Sequence, residues 1–509
     1  MTASTTGTVV TTTRGAVRGT VENGIHVFRG IPYAEPPVGP LRFRPPRPRA
    51  RWDGVRDATR FGASHLQDHE PVEARLMAAS ARPPSGDDCL NLNVWTPDPG
   101  ATGLPVLVWI HGGSLKYGTG GDELYDGATF ARAGVVCVTL NYRLHPAGFL
   151  RVGDRPGSGA FGLLDQIAAL EWVHDNIAGF GGDPSRVTIA GESAGGHSVG
   201  QLLAAPRARG LFRRAIAQSG AASYELPVEQ AEVIGRAVLS RLGIDRPDDD
   251  AFAAIDGAAL LAASRAVERE MSGLLDAAGM DPTLMGVTTR SASLPTYGGD
   301  VLPVRALDAV AAGAARGIDL LLGTTLDETT LFPPAFGEAA PAVAEAAFGP
   351  TGPAALAAYR RGSPGGTEQE GRMSLLTDTL FRIPAIRLAE AAQRHAKVHM
   401  YLLTWASPPT GRALGAFHAL DLPFMWNRID AVAAPFFELA GRPPDPALAE
   451  AMHGAWAEFV TTGTPRHHHL PRWPGYDPTR RSTMLLDTQS RVVDDPLGEQ
   501  RRLWDRVRF

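Results

Sequence analysis

Val187-Thr188-Ile189-Ala190-Gly191-Glu192-Ser193-Ala194-Gly195-Gly196 is the stretch on which the reading of this chain turns. Val187 to Ala190 is a short apolar, β-branched run, the mark of a buried strand. Helix-forming residues follow at Val199 to Leu203. Strand, sharp turn and helix with a serine at the turn make a nucleophile elbow. Glycines belong there because side chains would collide with the neighbouring strand and helix and block approach to the serine. The hydroxyl then stands above the sheet, beside the free N–H groups of a helix start. Such a turn points to acyl transfer through a serine, provided the chain also supplies a base, a carboxylate to orient it and donors for an oxyanion. Alone, Gly-x-Ser-x-Gly in a chain with 57 glycines reads equally well as a turn with a structural serine.

Outward from the elbow, apolar runs recur at 90–95, 105–110, 135–141, 212–218, 318–324 and 398–405. Continuous apolar runs suit strands of a sheet covered on both faces. Between them the sequence turns helical. Leu163, Ile167, Leu170, Trp172 and Val173 form a stripe over 162–177, which Gly179, Gly181 and Gly182 then stop. Stretches 225–290, 337–361, 373–396 and 446–460 also read as helix. Residues 8–60 hold short β-like segments at 17–21 and 26–28, and a proline-rich stretch, 36–48, that excludes helix. Strands alternating with helices give an α/β fold with a large, mostly parallel central sheet and helices on both faces. Length alone suggests about three domains. The pattern instead reads as one domain, 8–507, with helical insertions at about 225–290 and 337–396.

The net charge of −5 and a pI near 6.3 favour neither nucleic acid nor an anionic membrane as partner. Two cysteines, Cys89 and Cys137, exclude a disulfide-stapled scaffold. Residues 1–10 lack a basic n-region and a long apolar core, so no signal peptide is expected. No apolar run is long enough to span a bilayer. The expected address is the cytoplasm.

In a sheet of this kind the functional loops leave the carboxyl ends of strands, in the order serine, acid, histidine. The run 318–324 leads directly into Asp327 and Glu328, two adjacent carboxylates where the acid belongs. Asp is the better helix N-cap for the segment that follows, which leaves Glu328 for chemistry, but local reasoning keeps both open. Of 14 histidines, His418 alone follows both the acid and a strand end. His399 falls inside a strand, His453 on the terminal helix, and His467, His468 and His469 in a loop bounded by prolines that reads as solvated. An imidazole at 418 has a reference pKa of about 6.5, suited to taking and returning a proton near neutrality. A packed loop histidine is the plainer reading. The strand 105–110 opens into His111-Gly112-Gly113-Ser114, where small residues let amides approach a substrate oxygen. With Ala194, the amides of Gly113 and Ser114 make a three-donor oxyanion hole, and His111 reads as a brace for the loop.

These elements are joined by further blocks: Phe28-Arg29-Gly30-Ile31-Pro32-Tyr33-Ala34, Leu41-Arg42-Phe43, Asp88-Cys89-Leu90-Asn91-Leu92-Asn93-Val94-Trp95, Asn141-Tyr142-Arg143, Leu164-Asp165-Gln166 and Phe180-Gly181-Gly182-Asp183-Pro184. In this order, over about 14–505, the chain resembles the type-B carboxylesterases, the cholinesterase-like branch of the α/β-hydrolases, and among them the bacterial para-nitrobenzyl-esterase-like members. The resemblance implies an α/β-hydrolase fold and a Ser193–His418–Glu328 triad, deciding for Glu328 over Asp327. It also implies an oxyanion hole from Gly113, Ser114 and Ala194. Ser219 looks like the family's buried serine near the acid, though an ordinary turn serine fits as well. Three positions depart from the family pattern. Thr329 stands where a glycine usually follows the acid, Ser114 where Gly or Ala is common, and Leu115 where an aromatic is usual. The usual partner of Cys89 is missing from Ser64-His65-Leu66-Gln67, so the first family disulfide cannot form. Stretch 66–88 has no tryptophan to hold a choline ester.

The expected activity is hydrolysis of small carboxylic esters through an acyl-enzyme, with no metal or organic cofactor. Two rivals stand beside it. One is a non-catalytic binding module on the same fold, which the filled triad positions count against. The other is the same chemistry on amide, carbamate or thioester bonds. Phe332, Phe424, Met425 and Trp426 are candidate pocket walls, and a neutral to apolar acyl or aryl ester the default substrate.

Overall fold

The computed structural model describes residues 7–67, 76, 82–245, 248–280, 291–407 and 414–507. Its centre is a sheet of 11 strands. In chain order these are β1 (Thr20–Glu22), β2 (Ile25–Pro32), β3 (Asn91–Thr96), β4 (Leu104–Ile110), β5 (Val136–Leu140) and β6 (Gly182–Glu192). Then come β7 (Arg214–Gln218), β8 (Asp319–Thr325), β9 (Val398–Leu403), β10 (Ser482–Leu486) and β11 (Arg491–Asp494). They lie side by side as β11-β10-β9-β8-β7-β6-β4-β5-β3-β2-β1. From β5 across to β10 the pairing is parallel. The strands at both edges pair antiparallel.

The apolar runs are explained by burial on both faces. Along β4, Val106, Val108 and Ile110 enter one apolar cluster, and Leu107 and Trp109 enter another. That is period-two alternation with no polar face. Helices Phe161–Asn176 and Ala194–Ala204 cover the first face with Leu163, Ile167, Leu170, Val199 and Leu202. Helix Pro446–Thr462 covers the second with Met452 and Trp456. The helical stripe expected at 162–177 is therefore helix 161–176, closed by Gly181 in the left-handed region at φ +86°.

Strand β6 begins at Gly182, five residues before the apolar run, because Gly182 pairs with Leu104 across a register shift. The insertion at 225–290 contains helices Val228–Arg241, Asp249–Ala253 and Gly257–Ala277, while 281–290 lies outside the described residues. The insertion at 337–396 is a helical stack interrupted by a π-helical turn, Asp378–Arg382. No helix among the described residues is long and apolar enough to cross a membrane.

Candidate active site

Three loops leave the carboxyl ends of parallel strands, 111–118 after β4, the serine turn after β6 and 326–331 after β8, and they meet residues 414–418, which follow β9 in the chain, above the sheet. Neighbouring parallel strands end at one edge, so residues 225 positions apart come within reach.

Ser193 sits at φ 57° and ψ −123°, a backbone state that only a tightly fixed turn sustains. Its N–H donates to the Gln218 carbonyl at 2.9 Å, and its carbonyl accepts from the His197 N–H at 2.9 Å. The packing that forces this turn leaves no room for side chains beside it. A Cβ on Gly195 would stand 2.0 Å from the Ile110 carbonyl oxygen. The oxyanion turn is also left-handed, with φ at 101° for Gly113, 56° for Ser114 and 59° for Leu115. The Gly113 carbonyl accepts from the amides of Lys116 (2.8 Å) and Tyr117 (3.0 Å) and so closes the loop on itself. Among the described residues the amides of Gly113, Ser114 and Ala194 have no acceptor, and all three residues line the same cavity. His111 braces this loop: it is buried, stacked on Tyr142 with Nδ1 2.9 Å from the Gly112 carbonyl.

His418 Nε2 stands 2.8 Å from Ser193 Oγ, and its Nδ1 stands 2.5 Å from Glu328 Oε2. Glu328 is fully buried; its other oxygen accepts the Thr325 N–H at 2.8 Å. The His418 N–H donates to the Glu328 carbonyl at 3.1 Å, which locks the two loops in register. Asp327 does not act as the expected side-chain cap. Its carboxylate turns away and accepts the Ala416 N–H at 2.9 Å, because its own N–H is already paired with the Ala416 carbonyl. Thr329 fits where a glycine was usual: its hydroxyl donates to the Met373 carbonyl at 2.7 Å inside the core.

A third carboxylate, Glu192, stands 3.3 Å from His418 Nε2. Burial pushes Glu192 up to about 8. Burial pulls the imidazole of His418 down, but Glu192 and Glu328 outweigh it and hold the ring above its ordinary value, at about 9. Asp421 lies beneath; its Oδ2 accepts from Tyr401 (2.6 Å) and Gln218 (2.9 Å). Ser219 is fully buried, and its Oγ has no hydrogen-bond partner among the described residues. The cavity above Ser193 measures about 470 Å³.

Phe332 lines that cavity as expected. Phe424, Met425 and Trp426 do not: they belong to the core on the second face, where Trp426 packs edge-on against Trp109 and Phe130. Of the helix Asp421–Met425, Leu422 lines the cavity, while Phe424 and Met425 pack into that core. The π turn supplies Leu380 and Phe381, the latter 4.7 Å from the His418 ring. The sequence reading also missed Glu192 and His197. Both had a signal: Glu192 adjoins the serine, and His197 follows it by four residues on one helix. His399 and His453 bond the backbone carbonyls of Pro474 and Met425. His467 and His468 bring ligand atoms within 4.8 Å of Glu450 at the surface and do not line the cavity. Cys89 and Cys137 are buried and free.

Comparison with known proteins identifies the family. The profile of the carboxylesterase family matches residues 6–347 and 357–504. The para-nitrobenzyl esterase of Bacillus subtilis (strain 168) is 39% identical over 509 residues, covering 97% of this chain and 98% of its own. The phenmedipham hydrolase of Pseudarthrobacter oxydans is 37% identical over 480 residues, covering 91% and 92%. A solved carboxylesterase from Geobacillus stearothermophilus superposes with a TM-score of 0.83 at 36% identity, covering 98% of this chain and 100% of its own. The chain belongs to the carboxylesterase family. It has the α/β-hydrolase fold and is a serine hydrolase of carboxylic esters.

Proposed function

We propose that Ser193 is the nucleophile, His418 the general base and then acid, and Glu328 the carboxylate that orients and stabilises the imidazolium. The amides of Gly113, Ser114 and Ala194 are the oxyanion donors. The observation that carries this is the unbroken contact from Glu328 through both nitrogens of His418 to the Ser193 hydroxyl, at 2.5 and 2.8 Å. His418 takes the hydroxyl proton as Ser193 attacks the ester carbonyl, and the oxyanion turns toward the free amides. His418 then gives the proton to the departing alcohol. Water, activated the same way, releases the acid. The scheme needs no metal or organic cofactor.

Residues 8–507 act as one catalytic domain in this reading. We read the cytoplasm as its setting and small esters as its partners, not nucleic acid or membrane, on the acidic pI and the two unpaired, buried cysteines. The similarity to a para-nitrobenzyl esterase makes para-nitrobenzyl esters the first substrates to assay. Ser193→Ala is expected to abolish turnover of such an ester while leaving the thermal unfolding midpoint unchanged. Substantial retained turnover in the folded variant overturns the assignment.

A further inference from the structure

The cavity has two unlike walls. Leu331, Phe332, Phe336, Leu380 and Phe381 form an apolar one around the His418 ring. The other is polar and begins one helical turn beyond Ser193, at His197. This ring stacks on Tyr224 with centroids 4.9 Å apart and planes at 22°. The Ala221 N–H faces its Nδ1 at 3.0 Å, and the Ala221 carbonyl oxygen stands closer to the same nitrogen, at 2.6 Å. That contact assigns the proton to Nδ1 and leaves Nε2 a bare acceptor. Burial holds the ring well below its ordinary pKa, at about 4, so it is neutral at working pH. Among the described residues neither His197 Nε2 nor the Tyr224 hydroxyl has a hydrogen-bond partner, yet neither is a sealed, orphaned atom, and both residues line the cavity.

The chemistry of this wall selects its guest. Lys116, which also lines the cavity, is held at 3.0 Å by Glu268, so its charge is already matched. The other Glu268 oxygen accepts the Ala292 N–H at 3.0 Å. With His197 neutral, Lys116 paired and Arg82 held by Asp122 at 2.9 Å, a carboxylate would find no uncommitted cation among the described residues there. A hydroxyl fits better, because it can donate to the bare Nε2 and accept from the tyrosine O–H at once.

Building on the Ser193 reading above, we propose that His197 and Tyr224 form a polar subsite beside the nucleophile that receives a hydroxyl carried by the ester. The enzyme then prefers hydroxylated esters to their plain aliphatic counterparts. A site with polar groups set for a substrate hydroxyl discriminates against the analogue that lacks it, because those groups are left unpaired in the complex.

The test uses the purified full chain and two matched pairs, followed by acid release. Ethyl 3-hydroxybutyrate against ethyl butyrate places the hydroxyl on the acyl side. 3-Hydroxybutyl acetate against butyl acetate places it on the alcohol side. At least one pair is expected to show a kcat/KM ratio of about 10 in favour of the hydroxylated ester. Tyr224→Phe, which deletes only the hydroxyl, and His197→Leu are each expected to bring that ratio toward 1. A wild-type ratio near or below 1 in both pairs overturns the proposal, as does a ratio that survives in either variant. The wild-type ratio alone decides if a variant fails to fold. Ser193→Ala is run alongside on the plain esters. Retained turnover there sinks the nucleophile, whereas its loss with no wild-type preference sinks only the subsite.

Discussion

Ser193 is held by backbone: the Gln218 carbonyl, the His197 amide, and glycines whose hydrogens face carbonyl oxygens. His418 is held by side chains from distant stretches: Glu328, Glu192, and the rings of Phe332 and Phe381. The serine turn is therefore a steric device with almost no tolerance for volume. The histidine site is an electrostatic one, whose performance depends on which carboxylate carries charge. The contrast predicts different failures for the two halves. Changes at the histidine should cost rate in a folded protein, and volume added at the glycines of the turn should cost the fold.

Glu328→Gln should give the largest effect. An amide can still bond Nδ1, but it does not stabilise the imidazolium, and it admits the wrong tautomer. The same acid-to-amide change in a serine protease triad costs about 10⁴-fold in kcat. A similar loss on a para-nitrobenzyl ester, with unfolding by urea unchanged, is the expected result. Gly195→Ala should do the reverse. Its methyl group would stand 2.0 Å from a backbone oxygen of β4, which cannot give way without moving the strand that leads to the oxyanion turn. Overpacking of this kind costs roughly 1–3 kcal/mol or more, read as a lower urea midpoint or loss of soluble protein. An Ala variant as stable as the parent would mean that the elbow is not sterically fixed.

The same contrast explains what the sequence revealed. A steric turn writes itself locally: Gly-Glu-Ser-Ala-Gly-Gly after a β-branched run is legible because no other residues fit. The parallel sheet was legible for a similar reason, since a strand buried on both faces has no polar positions. The histidine half is spread over 225 residues, and nothing near Asp327 and Glu328 in sequence distinguishes them. The family resemblance supplied the choice of Glu328. The capping argument reached the same residue for the wrong reason, since Asp327 spends its carboxylate on the loop of Ala416. The cavity walls were least legible. Phe424, Met425 and Trp426 have the composition of a pocket and the location of a core. Leu380 and Phe381 enter the cavity on a π turn that helical periodicity conceals, because one extra residue rotates the face.

Glu192→Gln sharpens the electrostatic half. The proposed mechanism needs neutral His418, so kcat/KM should fall as pH drops through the imidazole's ionisation. Neighbouring carboxylates favour the imidazolium and set that limb above the ordinary value for histidine. Removing one of them should therefore move the acid limb to lower pH. Glu192 is itself pushed up to about 8, below the value for His418, so it carries charge over that limb. The displacement should be less than about one pH unit, since one unit already corresponds to 1.36 kcal/mol of interaction. A limb that moves to higher pH would mean that Glu192 acts on His418 by something other than its charge.

Asp327→Asn should have the smallest effect and divides the adjacent acids. Asn can still accept the Ala416 N–H, so the loop and the His418–Glu328 contact should persist and turnover should fall less than about 10-fold. The difference should appear in stability. Burial raises Asp327 to about 6, above its value in the unfolded chain, while the Ala416 N–H acts in the opposite sense. A carboxyl with a raised folded pKa binds its proton more tightly in the native state. The parent therefore loses stability as pH rises from about 4 through 6, and the amide does not. Urea unfolding should show the parent's stability relative to the variant falling by roughly 1 kcal/mol between pH 5 and pH 8. A turnover loss as deep as that of Glu328→Gln would instead transfer the acid's role to Asp327, and with it the claim that side-chain electrostatics at Glu328 govern the histidine.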